Sequence, residues 1–276
     1  MSFQFGVLQN VLGEPLSTVF QTARELGFEG VELDWNAPEE ILEGGFLAPA
    51  ERASIKASAE AAGVQIHAVC AHFLNNGGVA SEDAQVRARG VQAIRDGLSL
   101  AHDLGATALL IPFFGAAERE LTDKAGQERL LMTLQVLAGE AAKASVFMAI
   151  EHTLPGEVAA RLIDATISTH VGDYWDMGNS MNWGHDPVAE VRALGTRIVR
   201  VHAKEFQSPS TRPAEATHGL NPVPLGQGEV PLADVLRELR RVGYKGFITL
   251  ETGAFGDRRQ SAQAAREVLA QAAASL

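Results

Sequence analysis

The chain has 276 residues, 46% of them hydrophobic, which suffices for one sizeable core within the size range of α/β barrels. A net charge of −11 with no Lys/Arg-rich block lacks the footprint of a phosphate-backbone binder, which argues against a nucleic-acid partner. A lone cysteine (Cys70), an N-terminus without a signal-peptide pattern and no run near about 18 uncharged apolar residues predict a soluble cytoplasmic protein with no membrane partner.

One phrase recurs along the chain: a helical pattern ending at Gly or a small residue, then a short apolar strand. After FQFGVLQN at the start come ELGFEGVELDW (25–35), AAGVQIHAVCAHF (61–73), DLGATALLIPFF (103–114), KASVFMAIEHT (143–153), STHVGDYWDMG (168–178), LGTRIVRVHAKEF (194–206) and RVGYKGFITLETG (241–253). Helical stretches are predicted over 15–26, 49–62, 82–104, 122–144, 155–168, 186–194, 231–242 and 257–274, with Gly27, Gly63, Gly105, Gly195 and Gly243 at C-cap positions. Runs such as ALLIPFF, VFMAI and FITL are apolar throughout, which indicates burial on both faces, as in a parallel sheet covered by helices. Eight alternating units predict a (β/α)8 TIM barrel forming a single domain over 1–276. A doubly wound sheet is the alternative, but GVLQNVLGEP holds no Gly-rich phosphate turn after the first strand. The irregular segment 207–230 follows the seventh strand and is expected on the C-terminal face as a lid.

Strand C-termini point into the active site of such a barrel. Those ends carry Asp34, His72, Glu151, Asp176, His202 and Glu251, with Phe113 and Phe114 as an apolar wall after the fourth strand. Glu151, Asp176, His202 and Glu251 come from four consecutive strands. Three carboxylates and an imidazole suit one divalent ion such as Mn²⁺, Mg²⁺, Co²⁺ or Zn²⁺, and without a cation the carboxylates would repel one another. Unrelated polar residues in solvated loops are the alternative.

The set AIEHT, DMGN, VHAKEF and ITLET, with the His-x-Lys of the seventh strand and PLGQGEVPL (224–232), resembles the xylose-isomerase-like barrels of the sugar isomerase/epimerase superfamily. That group includes ketose 3-epimerases, L-xylulose-5-phosphate 3-epimerase-like enzymes, inosose dehydratase and hydroxypyruvate isomerase. The resemblance implies that Glu151, Asp176, His202 and Glu251 bind one metal and that Glu151 and Glu251 double as acid and base. It implies a sugar or sugar-phosphate isomerase/epimerase that moves a proton next to a carbonyl through an enediolate. A lyase of the inosose-dehydratase type and a non-catalytic sugar-binding barrel are alternatives. An abasic-site endonuclease is a further one, disfavoured because Asn179 stands where that trinuclear zinc site needs a His and no Asp-x-His follows His202.

Further substrate contacts are read at several positions, each with a plainer alternative. Glu157 matches a substrate-contacting carboxylate of the epimerases or is a first-turn helix glutamate. Asn179 faces substrate or serves a turn, and Lys204 meets a substrate oxygen or phosphate or is a solvated or ion-paired lysine. His72 lies at the pocket rim at the end of a strand over 64–73; Trp183 and His185 close over a sugar or pack a loop; Asp34 and Trp35 line the pocket. His67 is read as a structural core histidine. The one Gly cluster near a candidate phosphate is Gly226–Gly228. Phosphorylation of the sugar and the choice between monomer and homo-oligomer are both left open.

Overall fold

A computed structural model describes residues 3–36, 48–208 and 220–276. Eight parallel strands close into a barrel in the order β1-β8-β7-β6-β5-β4-β3-β2. They are β1 (Gln4–Leu8), β2 (Gly30–Asp34), β3 (Gln65–Cys70), β4 (Ala108–Pro112), β5 (Phe147–Glu151), β6 (Val171–Asp176), β7 (Ile198–Ala203) and β8 (Phe247–Leu250). Each is followed by a helix packed outside: α1 (Val19–Glu25), α2 (Pro49–Ala62), α3 (Ala84–Leu104), α4 (Lys124–Ala144), α5 (Gly156–Ala165), α6 (Pro187–Leu194), α7 (Leu232–Arg241) and α8 (Arg258–Ala274).

Local signals set these boundaries. The Asp83 carboxylate caps α3 by accepting from the backbone N–H of Gln85 and Val86, and Asp186 caps α6 through Val188 and Ala189, with Pro187 opening the helix. Gly63 and Gly105 end α2 and α3 in the left-handed region, at φ 68° and 78°, where a side chain would be strained. The helix expected to reach residue 168 stops earlier, at Ala165, because Ile167 turns the chain with φ 54°.

Alternation along each strand sorts side chains between the barrel interior and the helix layer. The outward residues, among them Val31, Leu33, Leu109, Ile111 and Met148, join the helices in one buried apolar cluster. The interior is unusually polar. Residues two apart share a face, which stacks Glu32 under Asp34, Tyr174 under Asp176, Arg200 under His202 and Thr249 under Glu251. Irregular register between Asp173 and Tyr174 brings Tyr174 beside Arg200 and sets Asp176 opposite His202 across the β6–β7 pair. At the strand N-termini the His67 imidazole fills space that side chains at Gly6 and Gly30 would take, with its ring stacked on Phe247 at 4.3 Å.

Of the lid segment, residues 209–219 lie outside the described residues. Its flanks pair as a short antiparallel ribbon, Phe206–Gln207 with Asn221–Pro222.

Candidate active site

The C-terminal mouth holds a cavity of about 250 Å³ lined by Cys70, His72, Asn75, Phe114, Glu151, Asn179, His202, Lys204 and Glu251 together with Pro112. A larger cavity of about 660 Å³ opens at the opposite end around Ile167, Arg197 and Lys245. There Arg197 is already bonded to Asp164, and no cluster of ligating groups is present among the described residues. The candidate ligating groups therefore lie at the smaller cavity.

Glu151, Asp176, His202 and Glu251 each offer one ligating atom, and the four atoms lie within 4.8 Å of one another. β5, β6 and β7 deliver the first three, and Glu251 follows β8, its backbone N–H bonded to Ala203 O of β7. Asp176 has two tasks. Its Oδ1 caps the short helix Met177–Asn182 by accepting from Gly178 N and Asn179 N, both at 2.7 Å, which leaves Oδ2 for the cluster. Gly178 is needed because a Cβ there would stand 2.8 Å from the Lys204 carbonyl oxygen. Asn179 Nδ2 donates to Glu151 Oε1 at 3.1 Å.

Two cations are drawn into this acidic set. Lys204 Nζ lies 2.8 Å from Glu251 Oε2 and 3.1 Å from Asp176 Oδ2. His202 Nδ1 lies 2.9 Å from Glu251 Oε2 and 3.6 Å from Glu151 Oε1, while its Nε2 donates to Glu32 Oε2 at 2.9 Å. Burial pushes Asp176 up to about 7 against the pull of Lys204, with Glu251 and Glu151 adding repulsion. Burial also works to raise Glu251, but Lys204 and His202 hold it well below the usual carboxylate range. His202 rises well above an ordinary imidazole because Glu32, Glu251 and Glu151 outweigh the burial that opposes its charge.

Asp176 Oδ2, His202 Nδ1 and Glu251 Oε2 are buried and approach their neighbours closely, yet none makes a well-aligned hydrogen bond. Three carboxylate oxygens and an imidazole nitrogen turned toward one point, with that geometry unsatisfied, fit a divalent cation.

Other expected residues fall in varied places. His72 lines the cavity, but β3 ends at Cys70 rather than at residue 73, and His72 opens a 3₁₀ turn with Nδ1 2.9 Å from Asp34 Oδ1. That bond raises its pKa. Trp35 packs edge-on against Phe73 instead of lining the pocket. Phe113 is fully buried and its neighbour Phe114 faces the cavity, since adjacent residues of an extended segment point to opposite sides. Glu157 is exposed on the first turn of α5, outside the cavity lining. Trp183 and His185 also stand off the lining, with the His185 ring bonded to Thr153 O at 3.2 Å.

The Gly226–Gly228 turn is filled from within the chain. The Glu205 carboxylate accepts from Gly226 N, Val230 N and Phe206 N, so an anionic side chain occupies the cradle a phosphate would need. Sequence reading missed Asn75, whose Oδ1 accepts from Phe114 N, and Glu32 with Tyr174 beneath the four clustered side chains. The spacing was a usable signal for the last two, because Glu32 and Tyr174 stand two residues before Asp34 and Asp176.

Comparison with known proteins agrees with this architecture. A putative L-ribulose-5-phosphate 3-epimerase of Escherichia coli K12 is 25% identical over 255 residues, covering 90% of this chain and 88% of that protein. A solved xylose isomerase domain protein from Planctomyces limnophilus superposes with a TM-score of 0.79 at 18% identity, covering 98% of this chain and 96% of its own. A solved L-ribulose 3-epimerase superposes with a TM-score of 0.78 at 17% identity, covering 99% and 95%. The xylose isomerase-like TIM barrel family model matches residues 20–272, and the chain belongs to that family.

Proposed function

We propose that this chain is a divalent-cation-dependent epimerase that inverts a hydroxyl-bearing carbon next to the carbonyl of a ketose or ketose phosphate. The observation that carries the reading is the convergence of Glu151 and Glu251 with Asp176 and His202 beside one cavity. The relatives named as 3-epimerases of sugars and sugar phosphates support the same reaction class.

Glu151, Asp176, His202 and Glu251 would hold the cation. When bound, it would draw charge from the substrate's carbonyl and hydroxyl oxygens and so lower the cost of the enediolate. Glu151 and Glu251 approach from β5 and the end of β8. Carboxylates on two sides of a sugar can remove a proton from one face and return one to the other, which inverts the carbon. Lys204, 2.8 Å from Glu251 Oε2, favours the ionised carboxylate, the state a base needs. Asn179 steadies Glu151 through Oε1. Lys204, on the cavity wall, can donate to a substrate oxygen, and Phe114 closes the apolar side against water.

A soluble cytoplasmic enzyme acting on a small molecule goes with this reading. Among the described residues no helix is long and apolar enough to cross a membrane. The test is a panel of ketoses, their phosphates and inosose incubated with Mn²⁺-loaded protein in D₂O and followed by NMR. Deuterium entering beside the carbonyl, with the epimer formed and no water lost, is expected. Net dehydration would favour the lyase, and ligand-induced thermal stabilisation without exchange would favour a binding-only barrel; either result overturns the proposal.

A further inference from the structure

Glu32 lies on β2 in the barrel interior, fully buried, and is not one of the four clustered ligands. Barrel interiors are ordinarily filled by bulky aliphatic side chains, and a buried carboxylate is costly unless it is paired and hydrogen-bonded. Both partners of Glu32 meet the same oxygen. Oε2 accepts from His202 Nε2 at 2.9 Å and from the Tyr174 hydroxyl, while the Tyr174 ring packs on the His202 ring with centroids 4.5 Å apart.

An imidazole can turn only one nitrogen toward the ligand cluster. With Nε2–H committed to Glu32, the atom left facing Glu251 and Glu151 is Nδ1, at 2.9 and 3.6 Å. Rotating the ring by half a turn would break the bond to Glu32 and aim carbon atoms at the carboxylates. A carboxylate behind a ligating histidine fixes its tautomer and makes the ring a stronger donor. Tyr174, whose hydroxyl donates to Glu32 Oε2, holds the Glu32 carboxylate in place from β6.

We propose that Glu32 is a positioning residue of the cation site: with Tyr174 it locks the His202 ring so that Nδ1 faces Glu151, Asp176 and Glu251. This rests on the cation reading of the previous subsection. It assigns an effect on cation binding to a side chain that touches neither cation nor substrate.

The test is Mn²⁺ binding, read as loss of the free-ion EPR signal, for wild type, Glu32→Gln, Tyr174→Phe and the ligand variant Glu251→Gln. Wild type should bind one ion. Glu32→Gln should bind about 10- to 100-fold more weakly, and Tyr174→Phe about 2- to 10-fold more weakly. A second readout separates positioning from general damage. In ¹⁵N-histidine-labelled, Zn²⁺-loaded protein, the His202 Nε2–H proton should be slow to exchange in wild type and shifted in Glu32→Gln. Unchanged affinity and an unmoved His202 resonance in Glu32→Gln would overturn this inference alone, provided Glu251→Gln weakens binding. No ion bound by wild type would overturn it together with the cation reading. If Glu32→Gln does not fold, Tyr174→Phe decides, and wild-type affinity in that variant overturns the inference.

Discussion

The two ends of the barrel bury polar groups in opposite ways. At the strand N-termini, Arg200 donates to Val199 O, His67 O and Thr107 Oγ1, and His67 shares a hydrogen bond with Thr249 Oγ1. Burial, helped by Arg200 and His202, pushes His67 well below an ordinary imidazole, so it stays neutral. That end settles its polar atoms mainly on backbone carbonyls and hydroxyls, leaving His67 Nδ1 and Arg200 Nε as its unbonded atoms. At the C-terminal mouth, three carboxylates crowd one imidazole and one ammonium, and the unaligned atoms face one another. The lower layer supports the fold, whereas the upper one gathers ligating groups at the cavity.

The largest effect that would sharpen this contrast is loss of catalysis at the mouth. Glu251→Gln should slow solvent-deuterium exchange at the substrate carbon by about 10²- to 10⁴-fold while circular dichroism stays that of wild type; exchange at the wild-type rate would remove Glu251 from the acid/base role. Matched glycine substitutions come next. Gly178→Ala puts a Cβ 2.8 Å from the Lys204 carbonyl oxygen, and Gly6→Ala puts one 2.5 Å from His67 Nε2. Each should cost about 1–3 kcal/mol in urea unfolding, but only Gly178→Ala should also weaken cation binding.

Arg200→Met should destabilise by a similar amount, about 1–3 kcal/mol, because it removes the guanidinium's hydrogen bonds to Val199 O, His67 O and Thr107 Oγ1. Its Mn²⁺ affinity should match wild type, and a large drop would erase the division between the two ends. A subtler effect concerns pH. Asp176 is raised to about 7 from an ordinary 3.8. It therefore holds its proton more tightly folded than unfolded, and this group makes the cation-free protein less stable as pH rises from about 4 to 7. A cation must displace that proton, so the rise in Tm produced by Mn²⁺ should grow between about pH 6 and pH 8. A flat profile would contradict the raised carboxyl. The smallest effect is expected at exposed Glu157, where Gln should change stability by no more than about 0.5 kcal/mol and leave exchange unaltered.

The barrel was legible because its rules are local: apolar runs recur eight times, and Asp caps and closing glycines bound several of the helices between them. The cluster was legible because each member stands at a strand end, where the fold alone brings Glu151, Asp176, His202 and Glu251 together. What stayed hidden depends on side-chain direction. Phe113 and Phe114 are equivalent as letters and opposite as neighbours. The Gly226–Gly228 turn reads as an anion cradle until Glu205, twenty-one residues before Gly226, folds into it. Lys204 gave no sign in sequence that it pairs with two of the expected ligands at once. Glu32 stands inside its strand rather than at the end, and period-two alternation puts it on the inward face below Asp34.

Anomalous diffraction at the manganese edge, from crystals of the protein grown with Mn²⁺, tests the cation site without an assumed substrate. One strong peak is expected within bonding distance of Glu151, Asp176, His202 and Glu251, with the His202 ring turned Nδ1 inward. No peak there, or a peak held by other residues, would contradict it.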